Sequence, residues 1–168
     1  MIHAHVPDVR VGVGYDSHRF SVDGTPLVIG GVRMPGDARV DAHSDGDVAA
    51  HALTDALLGA AGLGDIGEMF PNSDQVNAGR DSLEMLRLAA ERARGAGWRV
   101  LNADVAVLVE RHKVGPHRAA MRERLADALG VPAELVSIKG KTNEGLGWIG
   151  AGQGLAAHAV AALARAPR

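Results

Sequence analysis

The chain has no cysteine. That absence excludes disulfides, a cysteine nucleophile and thiolate zinc sites together, and leaves the compartment open. Aromatic residues are almost missing too: Trp98, Trp148, Tyr15, Phe20 and Phe70 are the only five in 168 residues. Apolar residues still make up 46%, so a core is expected, resting on Val, Leu, Ile and Ala. No apolar run reaches the ~18 residues that suggest a membrane span. The first residues, MIHAHVPDVR, lack the apolar stretch of a signal peptide and are too short and too weakly basic for a transit peptide. Charge of one sign is also lacking: 18 basic and 20 acidic side chains leave a formal net charge of −2. Without a basic stretch there is no footprint for a nucleic-acid backbone, so a bound phosphate belongs to a local site. The expectation is a soluble cytoplasmic enzyme of one domain, a length that fits the usual ~100–200 residues per domain.

What is present is an alternation of strands and helices with no repeat or linker. Residues 10–20 and 26–34 read as strands, the second interrupted by a bulge or turn at Gly30-Gly31. Val48, Ala52, Leu53, Ala56 and Leu57 recur at helical spacing, and the helix ends near Gly59–Gly62. Residues 64–80 carry turn formers and read as a mobile loop. A second helix is capped at Asp81 or Ser82 and stops near Gly95-Gly97. Residues 100–110 form a strand, a third helix runs from Pro116 to Gly130, and 135–141 form another strand. The tail, GLAAHAVAALAR, is open between helix and strand. The class is α/β or α+β.

Three clusters can carry chemistry. Asp16 and His18 lie two apart on an extended segment and therefore share a face. Asp47, His51 and Asp55, spaced by four, line one face of the first helix. One helical histidine added to Asp16 and His18 makes three ligands, the number catalytic zinc sites use while keeping a fourth position open. A flanking aspartate would orient the imidazole. A solvated acidic helix face fits the same spacing. His43 and Ser44 precede this helix, where free N–H groups suit a phosphate; equally, Ser44 or Asp45 is its N-cap. The third cluster is the glycine-flanked loop with Lys141, Thr142, Asn143 and Glu144, suited to a phosphate with a hard metal ion. It is neither a Walker A loop, because Leu135 replaces the first glycine, nor a dinucleotide fingerprint, because only 18 residues follow Gly150.

These residues resemble the 2-C-methyl-D-erythritol 2,4-cyclodiphosphate synthase family of the non-mevalonate isoprenoid pathway. The resemblance covers about residues 10–165, leaving 1–9, with His3 and His5, as a flexible N-terminal extension. It rests on AHSDGDVAAHALTDALLGAAGLGDIGEMFPNSD, YDSHRF, IGGVRMP, HKVGPH and KGKTNEGLGWIG. It implies a mixed sheet with helices on one side, a tail that is a strand, and a homotrimer with active sites at subunit interfaces. It implies Zn2+ on Asp16, His18 and His51, and a second ion, Mg2+ or Mn2+, held with the help of Glu144. His43 and Ser44 match phosphate contacts, Asp65 and Gly67 the methylerythritol hydroxyls, and Lys113, Val114 and Gly115 the cytidine pocket. Lys141 and Thr142 match the diphosphate contacts, and His43, Thr142 and Glu144 the catalytic positions. Asn72, Arg111-His112, Ala151 and Gln153 depart from the usual pattern. Ala151 cannot offer a cation to a diphosphate in the trimer's channel, so weakened isoprenoid-diphosphate binding there is expected. A zinc-dependent phosphoester hydrolase is the alternative reading of the same ligands.

Overall fold

The structure, a computed structural model, describes residues 8–166. His3 and His5, and nearly all of the expected N-terminal extension, lie outside the described residues. Strand β1 (Val9–Pro26) pairs antiparallel with the tail, which is strand β7 (Gly154–Arg165). Two short strands, β2 (Val28–Ile29) and β3 (Val32–Arg33), form a hairpin around Gly30-Gly31. The short β4 (Arg39–Val40) pairs with the outer half of β1. On the other side of β7 lies β5 (Trp98–Leu108), antiparallel to it and parallel to β6 (Val136–Lys141). The sheet is therefore mixed, in the order β4-β1-β7-β5-β6.

Helix α1 (Val48–Ala61) lies against β1, β7 and β5. Helix α3 (Ser82–Gly95) packs on α1, and α4 (Arg118–Leu129) packs on α3 and β6. Short helices α2 (Ile66–Met69) and α5 (Gly147–Gly150) sit in the connections. The segment 64–80 is thus not wholly irregular. Asp65 caps α2, and Asp74 caps a 3-10 turn over Gln75–Asn77. Gly62 and Gly130 close α1 and α4 in the left-handed conformation, as the glycine stops in the sequence require.

The face of the sheet under the helices is buried, whereas Val9, Val11, Val13, Tyr15 and Val160 on the opposite face are exposed. Alanine and leucine dominate the core, including Ala52, Ala56, Ala157, Ala159, Ala161, Leu53, Leu155 and Leu163. Small side chains let the layers approach closely, and this overrides alanine's helical propensity in β7. The approach is closest at Gly12 and Gly14 on β1, where an added Cβ would run into the carbonyl oxygens of Ala56 and Ala52.

The N-cap of α1 is Asp47, not Ser44 or Asp45. Its fully buried carboxylate accepts N–H groups from Ala49 and Ala50 at 3.0 and 3.1 Å, and from Gly30 and Gly31 at 2.9 and 2.6 Å. One side chain thereby ties the β2–β3 hairpin to the start of α1. Burial pushes its pKa up, against the pull of these N–H donors. Gly14→Ala should destabilise the fold by about 3 kcal/mol or more, because helix backbone rather than a flexible side chain must yield; urea unfolding of the variant measures it.

Candidate metal centre

The close approach of α1 to β1 sets the site. Asp16 and His18 project from β1, and His51 projects toward them from the first turns of α1. One potential ligand atom from each lies within 4.8 Å of the others. Oδ2 of Asp16 is 3.0 Å from Nδ1 of His51 and 3.1 Å from Nε2 of His18. The second approach lacks hydrogen-bond direction, so among the described residues the buried Nε2 of His18 has no hydrogen-bond partner. An unpartnered buried nitrogen beside a carboxylate and a second imidazole is an arrangement that a divalent cation satisfies.

Burial opposes ionisation of Asp16, but its contacts with His18 and His51 outweigh it and hold its pKa at about 2. Burial likewise opposes the charged form of His51, and Asp16 overrides it, raising that pKa. Asp16 is therefore a ready anionic ligand at neutral pH. A metal on His51 must displace the proton at Nδ1.

The aspartates four residues either side of His51 do not orient it. Asp47 is occupied by the hairpin and the cap, and Asp55 accepts the Ile66 N–H at 2.8 Å, anchoring α2. Burial raises the Asp55 pKa. The partners of Nε2 on His51 are hydroxyls instead: Ser44 at 3.1 Å and Ser82 at 2.8 Å. Ser82 in turn donates its hydroxyl to Asp45. Sequence reasoning weighed Ser82 and Asp45 only as helix caps. Nothing in a linear pattern brings Ser82, 31 positions away, to the imidazole of His51.

Asp16, His18, His43, Ser44, His51 and Gly67 line one cavity of about 200 Å3, together with Ile66, Phe70 and Asn72. His43 is exposed, and its carbonyl accepts the Gly79 N–H at 2.8 Å, fastening the 70–80 segment beside the site. Asp65 is at the rim as the cap of α2 rather than in the lining. A second cavity of about 300 Å3 is lined by Lys113, Val114, Gly115, Lys141 and Thr142, with Glu110 and His112. Burial and the nearby Arg111 lower the His112 pKa. Glu144 adopts φ 51° and accepts the Thr142 hydroxyl at 2.7 Å. The loop's backbone is held by Glu110, which accepts N–H groups from Asn143 at 3.0 Å and Gly145 at 3.2 Å. Sequence reasoning missed Glu110 as well.

The two sets do not meet within one chain. Asp16 is in register with Ala157, Ala157 with Val107, and Val107 with Gly140. Three strand spacings, roughly 14 Å, separate the metal cluster from the Lys141–Glu144 loop.

A mixed sheet with helices on one face and an Asp–His–His cluster beside a cavity defines an α/β domain whose cluster could hold a divalent metal. The chain belongs to the YgbB family, which it matches over residues 9–164. It is 58% identical to the 2-C-methyl-D-erythritol 2,4-cyclodiphosphate synthase of Gemmatimonas aurantiaca, over 92% of this chain and 93% of that protein. Its fold is similar to the bifunctional IspDF of Campylobacter jejuni, with a TM-score of 0.90, 37% identity and coverage of 95% of this chain and 43% of that one. It is also similar to the CDP complex of IspF from Plasmodium falciparum, with a TM-score of 0.83, 30% identity and coverage of 96% and 99%. Among the described residues, no helix is long and apolar enough to cross a membrane.

The Asp16–His51 pair has a pH signature in chelator-treated protein. The lowered Asp16 pKa gives stability that is present above 3.8 and lost as pH falls through about 2. The raised His51 pKa gives stability that is present below 6.5 and lost as pH rises through its folded value. Urea unfolding should therefore show the pair's largest contribution between these limits, about 2 kcal/mol at ~1.4 kcal/mol per pKa unit. Asp16→Asn should remove that contribution and flatten the decline above pH 6.5; an unchanged profile contradicts the pairing.

Proposed function

We infer that the chain converts 4-diphosphocytidyl-2-C-methyl-D-erythritol 2-phosphate into 2-C-methyl-D-erythritol 2,4-cyclodiphosphate and CMP, as a cytoplasmic enzyme of isoprenoid synthesis. The observation that carries this reading is the Asp16–His18–His51 cluster with its unpartnered nitrogen, in a chain more than half identical to a synthase of that name.

An oxygen of the 2-phosphate attacks the β-phosphorus, the bond from that phosphorus to the bridging oxygen breaks, and CMP carries away the electron pair. The nucleophile is already an anion, so no serine, cysteine or general base is required. The difficulty is repulsion between two phosphates. Asp16, His18 and His51 would hold Zn2+, and Glu144 would help to hold Mg2+ or Mn2+; bound there, the ions would supply charge neutralisation and Lewis acidity toward the β-phosphoryl group. The protein's share is placement. Ser44 and His43 lie at the cavity wall where a phosphate would rest, with Asp65 and Gly67 on the side for the sugar hydroxyls. Lys113, Val114 and Gly115 form the cytidine pocket, and Lys141 and Thr142 receive the diphosphate. His43 and Thr142 steady the charge that builds on the transferred group. Because both reacting groups belong to one molecule, such positioning supplies much of the rate.

The separation of the two cavities supports a site completed by the loop of a neighbouring copy. The exposed Val9, Val11, Val13, Tyr15 and Val160 form an apolar sheet face that suits burial between copies in a homotrimer. Residues 10–165 are the catalytic domain in this reading.

Incubation with the diphosphocytidyl substrate should release CMP in equal amount with a cyclic diphosphate, followed by 31P NMR; linear hydrolysis products would instead identify a phosphoester hydrolase. His51→Ala should lose bound zinc and at least about 100-fold in kcat, the scale of losing a group that stabilises transition-state charge. Metal analysis paired with the assay checks it, and a variant that retains stoichiometric zinc would break the ligand assignment.

A further inference from the structure

His51 offers two nitrogens, and the surroundings of each are unlike. Nδ1 faces Asp16 and His18. Nε2 points away from them, into a pocket between α1 and the start of α3, 2.8 Å from the hydroxyl of Ser82. Ser82 is fully buried, and both its donors are engaged by one carboxylate: its O–H goes to Oδ1 of Asp45, and its backbone N–H goes to Oδ2 at 3.1 Å. With its own proton given to Asp45, the Ser82 oxygen can only accept from His51. Nε2 must then carry an N–H, beside the one that Nδ1 directs at Asp16 when no metal is bound. Ser44, 3.1 Å from the same nitrogen, accepts the Gly46 N–H.

We propose that Ser82, backed by Asp45, is a positioning residue that holds an N–H on Nε2 of His51 and so leaves Nδ1 as the nitrogen for the divalent metal. The inference rests on the reading of Asp16, His18 and His51 as metal ligands. The Asp45–Ser82–His51 chain does for the imidazole what a carboxylate or carbonyl does behind a metal-bound histidine elsewhere, with a hydroxyl interposed. It also makes the first residue of α3 part of the support for the metal ligand. The side-chain cap of α3 is Asp81, which accepts the Leu83 and Glu84 N–H groups. Ser82 is therefore free of capping duty, and Ser82→Ala keeps the helix start.

The test is chelator competition for zinc, with NMR of the His51 ring in the zinc-loaded protein. Ser82→Ala should weaken zinc binding about 10- to 100-fold, and Ser82→Thr, which keeps the hydroxyl, should return to within about 3-fold of the parent. The slowly exchanging Nε2–H resonance of His51 should be present in the parent and in Ser82→Thr, and lost in Ser82→Ala. Undiminished zinc binding by Ser82→Ala overturns the proposal. So does weakened binding with the Nε2–H resonance intact, since the effect would then come from helix packing. His51→Ala separates the two readings. Zinc retained there removes the three-ligand site itself, whereas zinc lost there but kept by Ser82→Ala removes only the role of Ser82.

Discussion

The molecule depends on one close approach, that of α1 to β1. Gly12 and Gly14 leave no side chain between the strand and the helix, so the carbonyls of Ala52 and Ala56 lie almost on the strand backbone. At that spacing the short side chain of Asp16 reaches the imidazole of His51. A methyl group at Gly14 would push the helix outward two residues from Asp16, and the three donors would no longer converge. The alanines of α1 and β7 serve the same end, because a core of small residues is thin. The shortage of aromatic residues is thus part of how the site is assembled.

Charge is divided between two depths. Asp47 is sealed in the core, where four N–H groups meet its oxygens and join the β2–β3 hairpin to α1. Its surroundings are saturated, leaving nothing for a ligand. Asp16 lies nearer the cavity with two imidazoles as partners, one of them incompletely satisfied. The acidic residues near His51 look interchangeable in the sequence. Their environments separate them: a carboxylate supplied with N–H donors holds backbone, and one faced by unsatisfied imidazoles is available to a cation.

This difference explains what was legible in the sequence. The helices were, because apolar residues recur at helical spacing and Gly62 and Gly130 end two of them. So was the pairing of Asp16 with His18, which follows from strand alternation. The cap of α1 was misread at Ser44 or Asp45, since Asp47 also obeys the helical spacing to His51 and was counted with it. The tail stayed open because alanine propensity favours helix, while its place between β1 and β5 demands narrow side chains on an inner strand. Ser82, Asp45 and Glu110 were illegible as site residues: each acts on a group more than 30 positions away. The family motifs suggest roles that spacing could not, among them the proposed ones of Lys113 and Thr142.

The two cavities impose a last constraint. Both open at one end of the sheet, but β7 and β5 stand between β1, which carries Asp16 and His18, and β6, which leads into the Thr142–Glu144 loop. A diphosphate is far shorter than the roughly 14 Å those strand spacings represent. In the proposed reaction one diphosphate must touch both the Asp16 cluster and the Thr142–Glu144 loop. A single chain could satisfy this only by bending its central strands, whose ladders run unbroken beside the site from Val9 to Arg19 and from Asn102 to Leu108. In the proposed homotrimer, bringing the loop of a second copy to the cavity of the first would cost no such distortion and would cover the apolar sheet face at the same time. In the proposed trimer, the rigidity that fixes Asp16, His18 and His51 within one chain is therefore the reason for the rest of the site to come from another.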